Sequence, residues 1–99
     1  MLVIAGTITV APADRDAAIA AALAISSPTR EEPGCISYGF SADLLDPAKF
    51  RLFEEWRSQE DLDLHFATPH MADFLDALGA IQVTESTITK YKITSHGPL

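Results

Sequence analysis

An α+β fold of ferredoxin-like order, β-α-β-β-α-β, is the architecture this sequence predicts. Three observations lead there. Apolar, β-branched runs stand near both ends of the chain (residues 2–10 and 81–94). Two further strand-like runs lie back to back in the middle (35–43 and 49–57), and a segment of helical spacing fills each gap. Strands in that order form one antiparallel sheet, and both helical segments land on the same face of it.

Each element has a local reason. Residues 2–10 (LVIAGTITV) favour an extended backbone and are closed by Pro12. Asp14 is placed to cap an Ala-rich helix in which Ile19, Ala22 and Leu23 share a face. Pro28 lacks an N–H and should end or kink that helix near Ser27. Pro33-Gly34 marks a turn, and Leu44–Ala48 joins the next two strands as an antiparallel hairpin. In the second of these, Phe50, Leu52, Glu54 and Trp56 point one way, and Arg51, Phe53, Glu55 and Arg57 the other.

Ser58-Gln59-Glu60-Asp61 resembles a capping box with Asp in the Glu position, opening a short helix. Thr68-Pro69 restarts it, with Thr68 as N-cap and Pro69 at the first helical position. Met71, Phe74, Leu75 and Leu78 then mark a buried face, and Gly79 is a natural C-cap. The final run, 81–94, is well over twice the usual strand length. A single strand that long is expected to outrun its sheet and pair with a second subunit.

Ninety-nine residues make one domain, spanning 1–99. Hydrophobic residues are 47% of the chain, generous for so small a core, and a homodimer with sheets face to face is the simplest way to cover the excess. A net charge of −7, from seven basic and fourteen acidic residues, argues against nucleic acid and against an anionic membrane surface. No apolar run approaches the roughly 20 residues of a spanning helix. With no secretory signal pattern after Met1 and a single cysteine, Cys35, the expected location is cytoplasmic.

The residues that could carry chemistry cluster between positions 35 and 70. His65 follows Leu62 on the short helix and should face the sheet, where an imidazole serves either as a general base or as a hydrogen-bonded structural group. His70 falls in the first turn after Pro69, where the helix dipole disfavours a cation. The two histidines are five apart across a break, not at helical ligand spacing, and no metal site is expected. Glu54 and Trp56 share a strand face, so Glu54 is either a buried base or an ion-pair partner, and Trp56 a flat wall or plain core. Tyr38 and Phe40 could line the same space, and Cys35 reads as a buried small hydrophobe. No phosphate loop, dinucleotide fingerprint or nucleophile elbow is present, so no bound cofactor is indicated.

The segments EPGCISYGF, FRLFEEW and DLHFATPHMADF, from Glu32 to Phe74, resemble the core signature of the antibiotic biosynthesis monooxygenase (ABM) domains. The likeness extends to the first strand and helix and to the final strand. It implies a dimeric ferredoxin-like α/β barrel. It further implies cofactor-independent oxidation of a small aromatic, a quinol or anthrone, with O2. On that reading His65 is the base or anion partner, Tyr38 and His70 assist, and Trp56 and Phe66 form the walls, with Glu54 and Phe40 as further candidates from their places on the strands. Two other activities fit the same residues: isomerisation or proton transfer on a small carbonyl compound, and non-catalytic binding of aromatics. The haem-degrading branch fits poorly, because Thr7, His65 and Leu75 occupy the positions where it needs Asn, Trp and His.

Overall fold

The computed structural model describes residues 1–99. Strand β1 (Leu2–Val10) is followed by a single 3-10 turn (Pro12–Asp14) and helix α1 (Arg15–Arg30). The hairpin β2 (Cys35–Ala42) and β3 (Lys49–Trp56) leads to two short helices, α2 (Gln59–Phe66) and α3 (Pro69–Gly79). Strands β4 (Val83–Ser86) and β5 (Thr89–Lys92) close the chain.

The sheet is antiparallel, in the order β2-β3-β1-β4, with β5 beside β4 on the same edge of β1. β1 pairs β3 from Leu2↔Trp56 to Thr9↔Lys49, and β3 pairs β2 from Trp56↔Cys35 to Phe50↔Ala42 with a bulge before Ser37. The helices cover one face. There Ile25 and Leu62 pack with Leu2, Ile4, Tyr38 and Trp56, while Val10, Phe50 and Ile81 form a second small core under Ala18, Ile19 and Leu78. The ferredoxin-like order expected from the sequence is the one observed.

Several local expectations are corrected. The long final strand is two short ones, divided at Thr87–Ile88, although the register along β1 is the same on both sides of that break (Ala5↔Thr89, Ile8↔Ser86) and shifts only further on, between Thr9 and Val10. The break faces Gly6, whose φ is +157° and whose missing Cβ would stand 2.3 Å from the Thr87 carbonyl oxygen. Only glycine permits that approach, and Thr7 and Thr87 bond to each other through backbone and hydroxyl groups instead of continuing a regular ladder.

Pro28 does not stop α1, which runs on to Arg30; a proline in the last turn removes one bond near an end that is already open to other partners. The sheet-facing side of α1 is Ala21, Ile25 and Thr29, and Leu23 is 70% exposed. Asp14 stands at the N-cap position but spends its carboxylate on the backbone N–H of Gln82, tying the chain before β4 to the start of α1. Gly79 is the last helical residue rather than a left-handed cap. Leu75 turns outward, and Cys35 is half-buried.

Candidate functional site

The site is assembled by chain breaks. Ser58 accepts the Asp61 N–H and opens α2, and eight residues later the helix ends at Phe66. Thr68 then caps α3, its hydroxyl accepting the Met71 N–H while donating to the His65 carbonyl. This two-way bond fixes the angle between the helices and so the relation of His65 to His70. On the other side, the turn after α1 brings Glu32 over α2. Gly34 makes the approach possible: a Cβ there would sit 2.2 Å from Asp61 Cβ.

The result is a carboxylate shared by two imidazoles. Glu32 Oε2 lies 2.7 Å from His65 Nδ1 and 2.8 Å from His70 Nε2. An ionised carboxylate only accepts hydrogen bonds, so both ring nitrogens donate. His65 therefore carries its proton on Nδ1 when neutral, and its Nε2 lone pair, which has no partner within the chain, is left bare.

Aromatic rings enclose His65, which is only 2% exposed. Its ring centroid is 4.8 Å from that of Trp56, 5.9 Å from Tyr38 and 5.7 Å from Phe66. Trp56 Nε1 donates to Glu54 Oε1 at 2.9 Å, which pins the indole and satisfies one oxygen of a carboxylate that is itself buried. Burial pushes the Glu54 carboxyl upward, and the Glu32 carboxylate adds to this; the Trp56 N–H and His65 pull the other way. Burial, together with Glu54, Cys35 and Glu32, holds the Tyr38 phenol far above its ordinary value, so it stays protonated and cannot serve as a base. Burial and the two carboxylates raise the Cys35 thiol too, which keeps it protonated.

The expected residues are thus distributed unevenly. Glu54, Trp56, Tyr38, His65 and His70 meet around one point. Phe40 stands one ring further out, 5.8 Å from Tyr38 and 5.9 Å from Phe74. Phe66 touches the His65 ring with one edge of the cluster but is 56% exposed. Glu32 was not singled out from sequence as a site residue. Its signal was the turn it opens, 33 positions before His65 and 38 before His70.

Two of the hollows reach outlying members of the set, Phe40 and His70. A groove of about 310 Å³ runs between α1 and the β2–β3 edge, lined by Ile19, Leu23, Arg30, Phe40 and Phe50 among others. A cleft of about 90 Å³ between α1 and α3 reaches His70, Asp73 and Phe74. No helix is long and apolar enough to cross a membrane.

Residues 1–77 match the family model described as antibiotic biosynthesis monooxygenase. The uncharacterized protein sll1783 of Synechocystis is 38% identical over 93% of this chain and 63% of its own length. Rv0793 of Mycobacterium tuberculosis, provisionally named a monooxygenase, is 33% identical over 67% of this chain and 64% of its own. The chain therefore spans a little under two thirds of these sequence relatives. Among solved structures, Rv0793 superposes with a TM-score of 0.88 at 27% identity, covering 98% of both chains. A Deinococcus radiodurans protein, provisionally titled an antibiotic biosynthesis monooxygenase, reaches 0.90 at 28% identity over 100% of this chain and 98% of that one. Fold, signature segments and family match agree: the chain belongs to the antibiotic biosynthesis monooxygenase family.

Proposed function

We propose that this protein is a homodimeric, cofactor-independent monooxygenase that oxidises a small electron-rich aromatic, a quinol or anthrone, with O2. The observation that carries the reading is the Glu32–His65 contact inside an aromatic shell. A carboxylate on Nδ1 orients the imidazole and stabilises the cation formed when Nε2 takes a proton. The substrate's phenol or activated C–H supplies that proton. The resulting anion is electron-rich enough to reduce O2 directly.

For an anthrone the balance is simple. One CH2 becomes C=O, one oxygen atom enters the product, and the other leaves as water with the two hydrogens. His65 is the base, and His70 shares the Glu32 carboxylate with it. Tyr38, held protonated, donates to the developing oxyanion or peroxide. Glu54 fixes Trp56 as one wall, and Phe40 and Phe66 contribute to the others. Phe40 also lines the 310 Å³ groove, which is apolar enough to seat the body of such a ring system.

The dimer is supported by the helix-free face of the sheet. Val3, Ala5, Phe53 and Tyr91 adjoin one another there across β3, β1 and β5, and Phe53 and Tyr91 are about half exposed. Only 16 of 99 residues are buried in the isolated chain, so a second copy adds substantially to its core.

The test is oxygen uptake with dihydroxynaphthalenes and anthrones. Wild-type protein should consume O2 above the autoxidation rate, and His65→Ala, folded by circular dichroism, should lose about 10²–10⁴-fold of that excess. Product formed equally well without oxygen would instead identify an isomerase. Ligand-dependent quenching of Trp56 with no turnover would identify a binding protein.

A further inference from the structure

We propose that Glu32, His65 and His70 form a binding site for one divalent first-row transition-metal ion per chain. Two imidazole nitrogens and one carboxylate oxygen suit Zn²⁺, Ni²⁺, Co²⁺, Cu²⁺ or Fe²⁺, and are a poor match for the all-oxygen preference of Ca²⁺ and Mg²⁺. The three donor atoms come from three separate segments and lie within 4.8 Å of one another. Closing them onto an ion bonded at about 2.0–2.2 Å needs ring and carboxylate movements of under about 1 Å. His70, in the first turn of α3 and only half-buried, has room to make one.

The surroundings favour a cation. The two N–H groups converge on a single carboxylate oxygen, so an ion would replace two protons already held in one place. Glu54 adds a second carboxylate within electrostatic reach of the cluster, and the chain carries −7 overall. The 90 Å³ cleft between α1 and α3 reaches His70, with Asp73 as its other polar residue in an otherwise apolar lining. Three protein ligands would leave an open coordination position.

Occupancy has a chemical consequence that rests on the proposed function. A metal on Nδ1 of His65 leaves the ring's one proton on Nε2, the nitrogen assigned as base. The metal-bound protein then has no lone pair at that position, so the ion is an inhibitor and the site couples turnover to metal supply.

The experiment is calorimetric titration of the wild-type protein with Zn²⁺ alone, paired with Co²⁺ titration followed by visible absorption. Saturation at one ion per chain with d–d bands of nitrogen and oxygen ligation is expected. His70→Ala and Glu32→Gln should each weaken binding by about tenfold or more, while His96→Ala, in the exposed tail, should leave it unchanged. No saturable uptake by wild type, or uptake that survives His70→Ala, overturns the site. Uptake by a protein that turns over no aromatic leaves the metal site standing and removes the activity.

Discussion

Glu54 shows how one buried side chain can be held for structure and still shape a site. Its carboxyl is pushed upward chiefly by burial, so protonation is easier in the folded than in the unfolded chain. A raised folded value means that its stabilising contribution is present at low pH and is lost as pH rises through the folded value. At neutral pH an ionised Glu54 is therefore a cost that Gln would not incur, since the Gln carbonyl still accepts the Trp56 N–H. Glu54→Gln should melt at a higher temperature than wild type at pH 7, and the gap should close as pH falls through the carboxylate range. A lower melting temperature at pH 7 would mean that the ionised carboxylate is itself holding the fold.

The residue scale is also where sequence reading stopped short. Glu54 and Trp56 were legible as neighbours because strand geometry puts i and i+2 on one face. His65 was legible as inward-facing from its place beside Leu62. Glu32 was not, because its contacts are set by a turn and by the absence of a Cβ at Gly34, not by any periodicity. The carboxylate that organises both histidines lies on the one local feature that repeats with no spacing.

At the scale of elements, caps read well and endings read badly. Ser58 and Thr68 behave as N-caps because a hydroxyl one turn from free N–H groups has an unambiguous partner. Asp61 departs in detail, accepting from the Ser58 hydroxyl rather than from its backbone. Asp14 and Gly79 fail as caps for tertiary reasons. The first is drawn to Gln82, and the second lies in a helix whose last turn closes on Ala80 at φ −95°. The division of the final strand was hidden for a similar reason. Thr87 and Ile88 are good strand formers, and the interruption originates across the sheet, at Gly6.

For the whole molecule, the order of elements was legible from patterning, since alternation and helical spacing decide which face each segment buries, and the family from the likeness of the Glu32–Phe74 segments to its signature. The helix-free face is mixed: Val3, Ala5, Phe53 and Tyr91 lie among Arg51, Glu55, Ser37 and Ser41. Such a surface suits a dimer with a hydrophobic centre and polar rim. Phe53→Glu should convert a dimer to monomer in sedimentation velocity without loss of secondary structure. An unchanged sedimentation coefficient would place the interface elsewhere, and a monomeric wild type would remove the dimer.

Everything this molecule is proposed to do depends on where two protons sit. Long-range proton–nitrogen correlation NMR of wild-type protein, at a pH where both rings are neutral, reads this directly. The expected result is His65 protonated on Nδ1 with a bare Nε2, His70 protonated on Nε2, and both preferences weakened in Glu32→Gln. A proton on Nε2 of His65 in the wild type would contradict the shared carboxylate and leave the proposed base without its lone pair.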